Sequence, residues 1–309
     1  MPRKRRHFPS KNNRVQRGGV WTQILPYILV TPIVLLVVVF VLYPIFQSLI
    51  ISFYDSRSLI PQVNDYAGLK NYAWLFTSSS TLVTLRVTLV YVVGTVICSV
   101  FLGLIAALLM NISYRGRGLA RVAIIVPWAT PLVASALIWF WMFDPQYGII
   151  NYFLHLLHIS SQGIQWLITP QWALLSVILV DVWRIFPFGA IVLLTALQAV
   201  DANLYDAAAV DGAGSLSKFF YVTLPSIRPS LAITILLYTI WGMKRFDTIW
   251  ILTQGGPLDS TGVMAVQIYR EAFRNFRIGR ASALAIIGAL LSTIVTFYYF
   301  RMGSNHEKV

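Results

Sequence analysis

Long apolar runs separated by short polar connections make up most of this chain. Six of these runs are long enough to cross the roughly 30 Å hydrocarbon core of a bilayer, which takes about 20 residues in a helix. Their apolar positions are continuous, whereas the strands of a membrane barrel alternate apolar and polar residues at period two. The pattern therefore predicts an all-α integral membrane protein with six transmembrane helices. The predicted spans are residues 24–51, the stretch between Arg86 and Arg115, the stretch from Arg121 to about Asp144, residues 171–198, the stretch from Pro229 to about Leu252, and residues 281–300.

Composition agrees with a membrane protein and adds a strong positive charge. The chain is 57% hydrophobic and only 11% charged, whereas a soluble domain carries about 25% charged residues. A net charge of +13 is also found in nucleic-acid-binding proteins, but 7 of the 24 basic residues precede the first span. Such a cluster sets membrane topology and contacts anionic lipid. We therefore predict contact with membrane lipid and no nucleic-acid partner.

The distribution of charge around the spans predicts the orientation of the chain. An even number of spans places both termini on one side, and the basic N-terminal cluster places that side in the cytoplasm. Four arginines within Ile268–Arg280 would then lie outside, and we interpret this stretch as an amphipathic helix at the membrane interface. A five-span arrangement with the C-terminus outside is the alternative. The predicted organisation is a cytoplasmic tail (1–20), a six-span membrane domain (21–302) with a long cytoplasmic loop (199–228), and a second cytoplasmic tail (303–309).

The long cytoplasmic loop has its own helical pattern. Asp201 or Asn203 can cap a helix that alanine-rich sequence continues, and Gly212 permits the turn that ends it. A second short helix is predicted over Ser215–Val222, directly before Pro225. Two short helices at an angle would form a knob, and small alanine side chains on its surface would let another protein approach closely. An ordinary helical connection between two spans is the alternative interpretation.

The spacing of residues in this loop resembles a known family. The membrane subunits of binding-protein-dependent ABC importers carry the consensus E-A-A, three residues, G, nine residues, I-x-L-P. Here Asp206-Ala207-Ala208, then Gly212, then Val222-Thr223-Leu224-Pro225 match that spacing throughout. Aspartate replaces glutamate at 206 and valine replaces isoleucine at 222, so a salt bridge made by the longer glutamate would be weaker here.

Further elements along the chain resemble one subgroup of that family, the sugar permeases of the maltose and glycerol-phosphate type. The likeness extends from about residue 24 to the end of the sixth predicted span. The elements that carry it are Leu42-Tyr43-Pro44, Gly68-Leu69-Lys70-Asn71-Tyr72, Phe246-Asp247 with Thr253-Gln254-Gly255-Gly256-Pro257, Tyr269-Arg270-Glu271-Ala272-Phe273, and Gly279 with Ala281-Ser282-Ala283-Leu284.

The resemblance implies the fold of type I ABC importer permeases and a heteromeric complex. Its members would be a second permease subunit, giving a heterodimer, two cytoplasmic ATPase subunits and an extracytoplasmic solute-binding protein, in a bacterial or archaeal cytoplasmic membrane. The chain has no G-x-x-x-x-G-K-[ST] phosphate loop, so the partner subunits would bind ATP and Mg and hydrolyse the ATP. We expect no catalytic residue, metal or cofactor in this chain. The implied function is import of a sugar, an oligosaccharide or a glycerol-phosphate-like solute, and a secondary transporter for a small polar solute is the alternative.

Two sets of site residues follow from the resemblance and from the pattern of charges. Charged residues within a span normally face protein or water rather than lipid, so we expect those of the fourth and fifth spans to line the substrate pathway together with aromatic residues. The alternative is that Asp181 with Arg184, and Arg245 with Asp247, only pair with each other or with the partner permease. The predicted ATPase interface is Asp206, Ala207, Ala208, Asp211, Gly212, Leu224 and Pro225, and the predicted substrate pathway is Asp181, Trp183, Arg184, Phe188, Trp241, Arg245, Phe246 and Asp247.

Overall fold

The computed structural model describes residues 20–56, 65–160 and 162–304. Almost all of the predicted N-terminal tail and most of the predicted C-terminal tail lie outside these residues. Within the described chain the backbone is mainly helical, and it divides into two compact units, residues 1–47 and 48–309. The all-α membrane fold predicted from the sequence is confirmed.

The first unit carries the first predicted span. Helix α1 covers Val20–Val37, a π-helical turn follows over Val38–Leu42, and helix α2 (Tyr43–Ile51) crosses the division between the units. The stretch Ile24–Ile51 is long and apolar enough to cross a membrane. The predicted boundaries of this span are confirmed.

The second unit contains a short strand pair and the remaining described helices. Strands β1 (Tyr54–Asp55) and β2 (Asp65–Tyr66) pair antiparallel, with Tyr54 opposite Tyr66. The helices that follow are α3 (Lys70–Thr77), α4 (Ser79–Asn111), α5 (Arg117–Ala129), α6 (Leu132–Met142), α7 (Ile149–Leu156), α8 (Pro170–Gln198), α9 (Ala202–Val210), α10 (Ser215–Lys218), α11 (Leu224–Met243), α12 (Asp247–Thr253), α13 (Met264–Tyr269) and α14 (Ile278–Ser304).

Helices α4 and α8 pack along each other and form the centre of the second unit, with α11 against both. Small residues permit the close approach. A Cβ at Gly103 would lie 3.2 Å from the backbone N of Ala190, and a Cβ at Gly94 would lie 3.2 Å from the Cδ1 of Ile178. Because lipid and leucine are equally apolar, packing of this kind, more than hydrophobicity, holds membrane helices together.

The third predicted span is not one helix. Helices α5 and α6 meet at an angle of 93°, so the described chain has five continuous helices able to cross a membrane, or six if the bent pair counts as one span. The bend lies at Thr130, which is extended (ψ 133°) and precedes Pro131. Proline disfavours a helical conformation for the residue before it, which explains why the apolar run from Arg121 to Asp144 breaks.

The fifth predicted span is wrong at both ends. Helix α11 ends at Met243, and a separate helix, α12, begins at Asp247, so the predicted continuation to Leu252 is broken. At the other end, α10 and a π-helical turn (Phe219–Thr223) lead into α11 without interruption, so the predicted second short helix of the loop is the start of this span. The π-helical turn ends two residues before Pro225, and it lets the helix continue past a residue that has no N–H to donate.

The predicted interfacial helix over Ile268–Arg280 is also wrong in its second half. Helical structure ends with a π-helical turn at Arg274, and Phe276 has a positive φ of 52° before α14 begins. Buried Glu271 is hydrogen-bonded to residues on both sides of the break. Its carboxylate accepts from the side-chain amides of Gln267 and Asn275, and its carbonyl accepts from the backbone N–H of Arg277 at 2.7 Å. A buried carboxylate needs such donors.

Candidate functional site

The loop over residues 199–228, hereafter the 199–228 loop, begins with a capped helix. The Asp201 carboxylate accepts a hydrogen bond from the backbone N–H of Asn203 at 2.9 Å, which identifies Asp201 as the cap of α9. Gly212 has a φ of +76°, and the N–H of Ala213 then returns to the carbonyl of Ala208 at 2.9 Å. Both features predicted for this end of the loop are present, because glycine adopts the left-handed conformation without steric cost.

A side-chain hydrogen bond ties α9 to the start of the fifth span. The hydroxyls of Tyr205 and Thr223 lie 3.0 Å apart, and Thr223 is buried. These residues are 18 positions apart in the sequence, and neither belongs to a periodic pattern, so no sequence signal indicated the contact. The hydrogen bond makes α9 and the start of α11 one connected body.

The 199–228 loop exposes large apolar side chains. Val210 is 87% exposed and Tyr221 is 81% exposed. Three further large apolar side chains have exposed fractions between 49% and 72%. Among the predicted interface residues, Ala208 and Leu224 are partly buried, while the others are exposed. Several large apolar side chains exposed on one short loop are typical of a protein-binding surface. The apolar members, which the sequence prediction missed, are Leu204, Val210, Leu216, Phe220 and Tyr221.

Asp181 is the centre of a buried polar network in the transmembrane bundle. Its side chain is completely buried, and its Oδ2 accepts from the Tyr91 hydroxyl on α4. The Thr248 hydroxyl on α12 donates to Oδ1 at 3.0 Å, and the Nε of Arg245 lies 3.4 Å from Oδ2. The network therefore joins α8 to α4, to α12 and to the break between α11 and α12.

The two ion pairs of the alternative interpretation, Asp181 with Arg184 and Arg245 with Asp247, do not form among the described residues. Asp181 pairs with Arg245 and not with Arg184, because its carboxylate faces α4 and α12, and the break after Met243 places Arg245 there. Asp247 is exposed in the first turn of α12, where a negative charge favours the helix dipole. No ion pair joins Asp247 to Arg245 within the part of the chain that the structure describes.

An aromatic cluster lies next to this network. The rings of Phe188 and Trp241 are 5.1 Å apart in an edge-to-face arrangement, and Trp128 and Tyr238 also contact Phe188. Trp183 contacts Trp139 instead, at 5.6 Å. The structure therefore brings the predicted residues Phe188 and Trp241 together, but it places Trp183 in a neighbouring aromatic group.

The Tyr238 hydroxyl bridges one turn of α8. It donates to the carbonyl of Ile185 at 2.8 Å and accepts from the N–H of Gly189 at 2.7 Å. Pro187 lies between these two residues and has no N–H of its own. A Cβ at Gly189 would lie 2.4 Å from the Tyr238 hydroxyl oxygen, so glycine is what lets the hydroxyl reach this turn. Helix α11 thereby supports α8 where its own hydrogen bonding is weakest.

Phe246 belongs to a second aromatic group, around Trp250 and Tyr269. Its ring stacks on Trp250 at 5.3 Å, and Tyr269 packs against both rings. The guanidinium of Arg274 lies 4.7 Å from the centre of the Trp250 ring. No ring contact joins this group to the Phe188 cluster among the described residues, although both pack against the same hydrophobic core, so the predicted pathway residues fall into two aromatic groups.

The loop after α12 is held by two arginines. Arg270 forms an ion pair with Asp259 and donates to the Gln254 carbonyl at 2.7 Å. Arg274 donates to the Gln254 side-chain oxygen at 2.9 Å. The T-x-G-G-P element is therefore a structured turn packed against the segment after α13. Within the described ranges, no three His, Cys, Asp or Glu side chains come together as metal ligands.

A bundle of helices able to cross a membrane, with a buried charge network and a helical loop that exposes apolar side chains, is an arrangement found in membrane permeases that act with a partner protein. Comparisons with known proteins support this class. The chain is 32% identical to the sulfoquinovosyl glycerol transport system permease protein of Agrobacterium fabrum over 91% of this chain and 90% of that protein. It is 33% identical to the trehalose/maltose transport system permease protein of Thermococcus litoralis over 90% of this chain and 93% of that protein.

A solved structure shows the same fold. The bacterial alginate ABC transporter, crystallised with a pentasaccharide-bound periplasmic protein, contains a chain that superposes with a TM-score of 0.80, covering 94% of this chain and 99% of that one at 22% identity. Residues 99–303 match the family described as binding-protein-dependent transport system inner membrane component, and this protein belongs to that family. It is a permease subunit of an ABC transporter, and the secondary-transporter alternative is not favoured.

Proposed function

We propose that this permease imports a carbohydrate and couples ATP hydrolysis by partner subunits to alternating access of its pathway. The names of its relatives support a carbohydrate substrate, since they include permeases for sulfoquinovosyl glycerol and for trehalose and maltose. The Phe188 cluster supports it independently, because aromatic faces stack on the C–H surfaces of sugars while nearby polar groups hold the hydroxyls. The solute is a sugar, an oligosaccharide or a glycerol-phosphate-like molecule.

The proposed complex has three kinds of partner. A second permease completes a heterodimer, two ATPase subunits bind ATP and Mg in the cytoplasm, and a solute-binding protein delivers the carbohydrate from outside. The alginate transporter was crystallised in complex with a periplasmic protein of this kind, which supports the last of these partners. In this arrangement both termini and the 199–228 loop of our chain lie in the cytoplasm of a bacterial or archaeal cell, and the chain itself carries out no ATP hydrolysis.

The observation that carries the coupling role is the exposed apolar surface of the 199–228 loop. Its side chains, with Asp206, Ala207 and Gly212 between them, would enter a cleft of one ATPase subunit. The Tyr205–Thr223 hydrogen bond would transmit a movement of α9 to the start of α11. From there the helix is continuous to Met243, two residues before the arginine that pairs with Asp181. A displacement of the loop would thus reach the centre of the pathway through packed, rigid elements.

The test is the ATPase activity of the co-expressed complex in nanodiscs, with and without its solute-binding protein and a panel of sugars. Val210→Asp places a charge on the most exposed apolar position of the loop and should lower stimulated ATPase activity at least tenfold. Val210→Ile keeps the surface apolar and serves as the matched control, with activity near that of the wild type. Equal stimulation in Val210→Asp and wild type would exclude the docking role, and failure of every sugar to stimulate would exclude carbohydrate import.

A further inference from the structure

Arg184 on α8 has a positive charge without a partner. It lies one helical turn after Asp181, yet within the described residues it makes no ion pair and no hydrogen bond, and its Nε is buried without an acceptor. The other charged residues of this region have an ion-pair partner or are exposed. Arg245 pairs with Asp181, and the side chain of Asp247 is exposed. A charge in a membrane-spanning helix is costly unless it faces a partner or water.

Asp181 does not pair with Arg184. One of its oxygens accepts from Thr248 and the other is shared by Tyr91 and Arg245, and among the described residues no ion pair joins Asp181 to Arg184. The guanidinium therefore retains free donors that are suited to an oxyanion, because its planar fork matches carboxylate, sulfonate and phosphate oxygens.

Aromatic groups flank Arg184 on both sides along the helix. Trp183 precedes it and contacts Trp139, while Phe188 lies four residues later on the same helix face and contacts Trp241. A sugar that stacks on this aromatic surface would bring a substituent of its ring within reach of the guanidinium. An anionic substituent would supply the charge partner that Arg184 lacks among the described residues.

We propose that Arg184 is a specificity residue that binds an anionic group, a carboxylate, sulfonate or phosphate, on the transported carbohydrate. This assignment rests on the proposed carbohydrate import and narrows its substrate class to acidic sugars. Arg245, the other arginine of the region, is excluded from this role by its ion pair with Asp181.

The assembled transporter in nanodiscs, without its solute-binding protein, provides a direct test. Quenching of tryptophan fluorescence gives the affinity for glucuronate, glucose 6-phosphate, glucose 6-sulfate and neutral glucose. At least one acidic sugar should bind the wild type about tenfold to hundredfold more tightly than glucose, as expected for one charge-assisted hydrogen bond pair. Arg184→Gln should reduce that ratio to near one, and Arg184→Lys should retain part of it.

Lys244→Gln is the matched control, because it removes the same charge from the adjacent helix break, where Lys244 lines a cleft against α13 and α14. This variant should leave the ratio of the affinities for acidic and neutral sugars unchanged. Inorganic sulfate is a further arm: if sulfate alone binds as tightly as the preferred acidic sugar, the site takes free oxyanions and the assignment to a sugar is overturned.

Two other results would also overturn the proposal. One is equal binding of every acidic sugar and glucose to the wild type. The other is that Arg184→Gln lowers the amount of the second permease that copurifies and weakens the binding of acidic and neutral sugars equally. That result would mean that a carboxylate of the second permease neutralises Arg184. ATP-driven uptake separates this failure from that of the proposed function: without any carbohydrate uptake the proposed function fails, whereas uptake without acidic preference removes only the role of Arg184.

Discussion

Replacing Asp181 with leucine is expected to destabilise the membrane domain strongly, because Arg245 then keeps its charge without a partner. The Asp181 side chain is completely buried and that of Arg245 is only 11% exposed. Removing one member of a buried ion pair typically costs about 3–5 kcal/mol. Tyr91 and Thr248 lose their acceptor at the same time, and each orphaned buried hydroxyl adds about 1 kcal/mol or more to that cost.

The double variant Asp181→Leu/Arg245→Met isolates the ion pair from the rest of the network. Removing both charges leaves only the two hydroxyls without partners, so the double variant should be no less stable than Asp181→Leu alone. We expect the free-energy costs of the two single changes to exceed the cost of the double change by at least the cost of Arg245→Met alone, about 3 kcal/mol or more. Such non-additivity is the signature of a buried pair in direct contact.

The assay is equilibrium unfolding of wild type, both single variants and the double variant in mixed micelles with increasing denaturing detergent, followed by tryptophan fluorescence. The half-exposed pair of Lys70 and Asp55, 3.9 Å apart, provides the control. Asp55→Leu should change the free energy of unfolding by about 1 kcal/mol or less, since water screens exposed pairs. Costs for the Asp181 and Arg245 changes that add to within about 0.5 kcal/mol would refute the reasoning.

Three further changes test the elements that connect the loop to the pathway. Tyr238→Phe should lower the free energy of unfolding by about 1–3 kcal/mol, because the Ile185–Gly189 turn of α8 loses its bridging hydroxyl. In thermal melts Tyr238→Phe should restore part of the stability that Gly189→Ala removes. Stability losses of the two changes that add fully would count against the bridge. Asp201→Ala should destabilise helix α9 by about 1 kcal/mol and Asp201→Asn by much less, as measured by hydrogen exchange of the backbone amides of α9. Tyr205→Phe should lower transport per ATP hydrolysed, whereas Tyr147→Phe, on an exposed side chain outside the 199–228 loop, should not; equal values would remove the coupling role of the hydroxyl pair.

The hydrophobic pattern by itself determined the membrane class and most of the spans. Helices α8 and α14 begin and end within a few residues of the predicted limits, because an apolar run of this length has few stable conformations other than a helix across the bilayer. The capped start of the 199–228 loop and its turn at Gly212 were also predictable, since capping and left-handed glycine are properties of a few neighbouring residues.

Local signals failed where proline or charge interrupts an apolar run. Hydropathy treats the stretch from Arg121 to Asp144 as one span, yet the residue before Pro131 is extended and the chain bends by 93°. The second break, after Met243, falls where Lys244, Arg245 and Asp247 lower the hydropathy, yet the sequence prediction continued the span through them to Leu252. It is stabilised by a contact with Asp181, far earlier in the chain, and no window of neighbouring sequence contains both partners.

Only the tertiary structure decided which polar residues act together. The spacing along α8 allowed an ion pair between Asp181 and Arg184. In the structure α4 and α12 pack against α8, Asp181 forms its ion pair with Arg245, and Arg184 has no partner among the described residues. Likewise, the Tyr205–Thr223 and Tyr238–Gly189 contacts join residues that lie on different helical elements. Secondary structure follows from the order of neighbouring residues, whereas the partner of a buried polar group depends on which helices meet. That is a property of the folded bundle.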